Sequence, residues 1–211
     1  MELNDIEVTT PPRPAATVVL LRDGEDGPEV LLIKRHGLSD VLGGAYVFPG
    51  GKLDEADRGE ILARVDTPAE RLHAALGEPA LDPVGAAALF VAAARETFEE
   101  CGILLAHGID APTAERATGR AREGLGFADL VGELDLQLRI SSLVPWTRWI
   151  TPRVPSVMRK RFDTRFFLAQ LPEGLEAKHD EHEATETVWL RPREALERYW
   201  RRDIEMAPPQ I

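Results

Sequence analysis

Glu96, Glu99 and Glu100 follow an Ala-rich stretch at spacings i, i+3 and i+4. On a helix, that spacing puts three carboxylates on one face. Like charges held so close need a cation or open solvent. Arg95 lies next to Glu96 and four residues before Glu99, so it can pair with one of them. A solvated acidic stripe is the alternative, but acids near a helix C-terminus oppose the macrodipole, at a cost of roughly a few tenths of a kcal/mol. Upstream lies Phe48-Pro49-Gly50-Gly51-Lys52-Leu53-Asp54. Two glycines after a strand allow a sharp turn and a close approach of backbone to a ligand or metal. Carboxylate oxygens are the ligands that hard divalent cations take.

Several elements must position these groups. Apolar runs at 17–22 and 29–35 flank the turn-rich Asp23-Gly24-Glu25-Asp26-Gly27-Pro28 and predict a hairpin. A short strand at 45–48 runs into the Gly-Gly turn. Thr67-Pro68-Ala69-Glu70 has the form of a capping box that opens a short helix, stopped by Gly77. Asp82-Pro83 caps a longer helix to about Cys101, with Gly102 as its stop. A strand is expected at 103–106, helices at 112–124 and 127–138, strands at 143–151, 161–171 and 187–190, and a final helix at 192–206. Strands mixed with helices predict an α/β (α+β) sandwich with a mixed sheet.

These residues carry a resemblance to the Nudix box: a glycine, five residues, a glutamate, seven residues, then Arg-Glu-(apolar)-x-Glu-Glu-x-Gly-(apolar). Gly51 stands for the box glycine. Arg95, Glu96, Glu99, Glu100, Gly102 and Ile103 match the second half. Asp57 stands where the first glutamate is usual, Thr97 where an apolar residue is usual, and 37 residues separate Asp57 from Arg95. The chain therefore resembles the Nudix subgroup with an insertion inside the box, which includes peroxisomal coenzyme A diphosphatases. Gly44–Gly51, Leu53-Asp54, Trp149-Ile150-Thr151-Pro152 and Arg161–Phe167 extend the likeness.

The resemblance implies a single Nudix-like α/β/α domain over 1–211 with a helical insert at 58–83. It implies a metal-dependent enzyme that cuts a diphosphate bond in a nucleoside diphosphate derivative such as coenzyme A or acyl-coenzyme A. ADP-ribose, NADH and other dinucleotides are alternative substrates, and a catalytically inactive nucleotide-sensing or protein-binding module is an alternative of another class. Glu99 and Glu100, with the Gly50 carbonyl, would bind Mg2+ or Mn2+. Glu96 would be a ligand or the base, and Arg95 would orient a glutamate. Arg35, Arg161, Glu183 and Glu186 are candidate substrate contacts, against the plain alternative of charged surface.

Other groups read more blandly. Glu181, Glu183 and Glu186 suit a charged loop, and His179 and His182 lack zinc-motif spacing. Arg159-Lys160-Arg161 could hold phosphates or form a charged turn. Trp146 and Trp149 read more readily as core than as adenine stackers. Cys101 reads as buried and inert. Gly51-Lys52 is no Walker A motif, because Tyr46 and Leu53 occupy its glycine and hydroxyl positions.

The composition bounds the rest. The 211 residues are 44% hydrophobic, enough for a globular core. A net charge of −11 argues against nucleic acid and anionic membranes as partners. Expected partners are thus a small-molecule diphosphate, no nucleic acid and no membrane; a homodimer is one option that the sequence leaves open. The single cysteine excludes an intrachain disulfide and suits a cytoplasmic, reducing compartment. The acidic start reads as no signal peptide, no run of 18 apolar residues spans a membrane, and Pro208-Pro209-Gln210-Ile211 is no peroxisomal address.

Overall fold

A computed structural model describes residues 7–36, 43–154, 160–178 and 184–211. β1 (Arg13–Gly24) and β2 (Gly27–Arg35) form the expected hairpin, but both strands are longer than the apolar runs. Gly27, at φ +117°, tightens the turn so that pairing continues to Gly24 opposite Gly27. β1 is buried on both faces from Ala15 to Leu20 and sits at the centre of a seven-stranded mixed sheet.

Its parallel neighbour is β6 (Phe162–Gln170), which pairs antiparallel with β5 (Val144–Ile150) at one edge. On its other side β1 pairs with β2 at one end and with β4 (Gly50–Lys52) at the other. β2 pairs in turn with β3 (Tyr46–Val47) and β7 (Ala184–Leu190). Such register puts the Gly50-Gly51 backbone directly beside Ala16 and Thr17.

The long helix α2 (Pro83–Cys101) covers one face of the sheet. Asp82 caps its start by accepting from the Gly85 N–H, and Gly102 ends it at φ +68°, both as the sequence predicts. Residues 85–94 are all buried, and most are alanine, so the helix lies close against Ala16, Val18 and Leu20 of the sheet. Phe90 stacks obliquely on Phe167, with ring centroids 4.7 Å apart. Only the C-terminal third of α2 turns polar, and it emerges at the Gly-Gly turn.

The opposite face carries α5 (Pro192–Arg201), where Ala195 packs with Leu32, Tyr46, Leu190, Ile204 and Met206. Helices on both faces of a mixed sheet make the α/β/α sandwich that the sequence implies. Among the described residues no helix is long and apolar enough to cross a membrane.

Residues 58–83 contain a 3-10 turn at Glu60–Arg64 and α1 (Ala69–Leu76). Ile61 and Leu72 are buried in the same core as α2, so this piece is built into the main hydrophobic cluster. Gly77 stops α1 at φ +69°, as expected. The capping box at its start does not form: Pro68 is the cap residue, and the Thr67 hydroxyl donates to Asp66 instead. α3 (Ala111–Arg122) and α4 (Phe127–Glu133) follow α2. α4 stops short of the predicted 138, because Asp135 takes φ +49° and reverses the chain. The predicted strand at 103–106 is a buried extended segment, joined only by a single bridge from Ala106 to Leu138. It is apolar because it lies in the core and not because it belongs to the sheet.

Candidate active site

The Gly50-Gly51 pair is a steric necessity. A Cβ on Gly50 would lie 2.5 Å from the Ala16 carbonyl and from Thr17 Oγ1. A Cβ on Gly51 would lie 2.6 Å from the Glu96 carboxylate. The first glycine lets the turn lie on β1, and the second lets a glutamate of α2 rest on the turn. The Gly50 N–H donates to Glu100 Oε2 at 2.8 Å, which fixes the third glutamate to the same backbone. Glu100 is only 2% exposed, and Arg35 Nη1 reaches its other oxygen at 3.4 Å.

Arg95 binds the remaining acids. Its Nε and Nη2 donate to the two oxygens of Asp57 at 2.8 and 3.0 Å. Nη1 donates to Glu96 at 2.7 Å and to Glu99 at 2.8 Å. Nη2 also donates to the Lys52 carbonyl at 2.9 Å. All five guanidinium donors are thus used. Burial alone would disfavour the charged guanidinium. The Asp57 hydrogen bond and the charges of Glu96, Asp57 and Glu99 outweigh it and hold Arg95 above the ordinary arginine value.

Both substitutions in the box have a local explanation. Asp57 sits in a 3-10 turn, Glu55–Arg58, and its Oδ2 accepts from the Asp54 N–H at 2.8 Å while Asp54 caps the turn. One buried carboxylate therefore closes a capping box and anchors Arg95. The short aspartate suits a turn whose backbone already comes close. Thr97 is fully buried, and its hydroxyl donates to the Ala93 carbonyl at 2.7 Å, so it packs as a satisfied core residue.

Four carboxylates, those of Asp57, Glu96, Glu99 and Glu100, gather around Arg95 and Arg35 in these ion pairs. Glu99 is 42% exposed at its side chain, so the cluster opens to solvent at one end. Among the described residues no group of three or more acids, histidines or cysteines is arranged to hold a metal ion by itself. The donor set is nevertheless one of hard carboxylate oxygens that reaches solvent at Glu99. It fits a cation of the magnesium type, which takes one or two carboxylates and completes its shell with water and substrate oxygens.

Of the other candidate contacts, Arg35 joins the cluster. Glu186 does not: it accepts from the Tyr46 hydroxyl at 2.6 Å, among the residues packed with α5 on the opposite sheet face. Burial and the Glu186 carboxylate push the Tyr46 hydroxyl up to about 12. Arg161 is also elsewhere. It donates to the carbonyls of Thr151 and Thr10 and ties the start of the chain to β5. Glu183 lies outside the described residues, as do Arg159, His179, Glu181 and His182. Trp146 and Trp149, expected in the core, are 61% and 39% exposed on the edge strand β5. Cys101 is fully buried, and burial and the Glu100 charge push its thiol up, so it is inert as expected. The anchoring of Arg95 by Asp57 was not read from the sequence; the only signal was an acid at the box position.

A mixed-sheet α/β/α sandwich with a Gly-Gly turn against a glutamate-bearing helix defines a Nudix hydrolase site. The crystal structure of a Nudix hydrolase from Alicyclobacillus acidocaldarius is similar over 96% of this chain and 89% of that one, with 31% identity and a TM-score of 0.77. The model of the NUDT19 Nudix domain matches residues 73–211, and the chain belongs to that family. Acyl-coenzyme A diphosphatase NUDT19 of Xenopus laevis is 29% identical over 219 residues, covering 87% of this chain and 58% of that protein. The protein of the same description from Homo sapiens is 31% identical over 223 residues, covering 88% and 59%. The chain thus spans under two thirds of the length of these relatives.

Proposed function

We propose that this chain hydrolyses the diphosphate bond of coenzyme A or an acyl-coenzyme A with the help of Mg2+ or Mn2+. The observation that carries the reading is the gathering of Glu96, Glu99 and Glu100 on one helix face held against a Gly-Gly turn. Its relatives' description as acyl-coenzyme A diphosphatases supports the choice of substrate.

Glu99, Glu100 and the Gly50 carbonyl would hold the cation. Once bound, such a cation neutralises diphosphate charge and lowers the pKa of a water. Glu96 rests on Gly51, where it can accept the proton of the attacking water. The water oxygen bonds to one phosphorus, the bridging P–O bond breaks, and its electron pair leaves with the other phosphate. Arg95 keeps Glu96 and Glu99 from swinging away and never needs to move. Arg35 presents a buried Nε with no partner among the described residues, a donor suited to a phosphate oxygen. Residues 58–83, as an insertion in one Nudix-like domain, would be fastened to the sheet through Glu78 and Arg165.

The test is a product analysis by mass spectrometry with Mg2+ and with Mn2+. Coenzyme A should give phosphopantetheine and adenosine 3′,5′-bisphosphate. Turnover of ADP-ribose or NADH without turnover of any coenzyme A species would replace the substrate. Binding across the panel with no turnover would mark a nucleotide-sensing module.

A further inference from the structure

A cleft of about 540 Å3 opens beside Glu99, between the end of α2, one side of α3 and the segment 174–178. That volume falls within the usual range for a small-molecule site. Its floor is apolar and narrow-sided: Phe98, Ala111, Ala114 and Leu175, with glycines at 102, 119 and 174. Small residues leave width for a slim chain. Thr118 and charged side chains form the rim.

Two features decide what would fit. Among the described residues Phe98 is the only aromatic one of the lining, and its ring is buried against Phe127 at 5.8 Å, so none of them offers an exposed ring to stack on a base. The rim has Glu99, Glu115 and Glu176 against Arg122 and Lys178, and Lys178 pairs with Glu115 at 3.6 Å. Among the described residues the rim thus has more acids than cations and makes no cradle for a second phosphate. The cleft therefore suits an uncharged, flexible, partly apolar group. It begins at the carboxylate proposed to hold the diphosphate.

We infer that this cleft receives the acyl-pantetheine arm of the substrate, with the apolar floor under the acyl end and the polar rim beside the amides. Chain-length preference is then set by α3, outside the Nudix box. This rests on the coenzyme A reading above, and the test separates the two.

Gly119 faces open space, with no atom within 4 Å of an added Cβ, so Gly119→Leu should fold and extend into the cleft. The first readout is chemical-shift perturbation of the full chain by S-octanoyl-pantetheine, a probe with the arm and no nucleotide. Shifts should cluster at 111–122 and 174–178 and weaken about tenfold in affinity in Gly119→Leu, the equivalent of about 1.4 kcal/mol. The second is the ratio of kcat/KM for octanoyl-coenzyme A to that for ADP-ribose, which should fall by a similar factor. No probe shifts at these residues, or equal affinity in the variant, would overturn the inference. If no coenzyme A species is hydrolysed yet the probe still maps to the cleft, the function reading fails and the cleft assignment survives.

Discussion

Two arginine-centred networks lie in this molecule, and they differ in where their acids stand. Around Arg165, two arginines meet two acids. Arg165 makes a two-pronged contact with Glu78 at 2.9 and 2.6 Å, while Arg148 binds Asp163 at 2.7 Å and Glu78 at 3.0 Å. That network fastens the insert to β5 and β6. Around Arg95 and Arg35, three of the four acids share one helix face against the Gly-Gly turn. Acids spread over a strand and a distant segment hold elements together. Carboxylates crowded on one helix face suit a cation, at some cost to the protein without it.

The largest expected effect is on turnover. Glu100→Gln and Glu99→Gln should each lower kcat/KM by at least about 100-fold, near 3 kcal/mol, as for removal of single electrostatic groups in other enzymes. Unfolding midpoints should stay close to wild type, which steady-state kinetics and thermal melts together would check.

The Arg165 network should answer the other way. Glu78→Ala strips a nearly buried guanidinium of its main partner and should cost about 3 kcal/mol of stability. In a chain of this size that lowers Tm by roughly 6–12 °C. Turnover per folded molecule should be little changed. If Glu78→Ala lost activity as heavily as Glu100→Gln, the division between the networks would fail.

The smallest effect is a pH dependence. Burial tends to raise the Asp163 pKa, but the Arg148 hydrogen bond and the Arg165 charge prevail and hold it below the ordinary carboxylate value. Asp163 therefore contributes stability that is present above the unfolded carboxylate pKa and is lost as pH falls through the depressed folded value. Asp163→Asn should flatten that acid limb in denaturant melts. At the alkaline end the sign reverses for Tyr46, whose pKa is raised to about 12. Its stabilisation is full below the ordinary tyrosine value and fades as pH rises to about 12, a loss that Tyr46→Phe should remove.

Much of the fold is local and was legible. Asp82 and Gly102 bound α2 through their own capping geometry, and apolar runs mark β1, β2 and β6. The three glutamates on one face and the Gly-Gly turn were legible too. What escaped depends on partners far along the chain. Asp57 meets Arg95 across 38 positions, and only the folded insert brings them together. Glu186 lies beside Tyr46 because its sheet face follows from the β7 register against β2, which depends on pairing far along the chain. Trp146 and Trp149 read as core by type, yet β5 is an edge strand whose side chains reach solvent.

The central claim is that the three glutamates around Arg95 form a cation site. Calorimetric titration of Mn2+ into the substrate-free chain tests it most directly, alongside Glu99→Gln and Glu78→Gln. Saturable binding should be present in wild type and in Glu78→Gln, and at least about tenfold weaker in Glu99→Gln, the equivalent of about 1.4 kcal/mol. Equal Mn2+ affinity in wild type and Glu99→Gln would contradict the account.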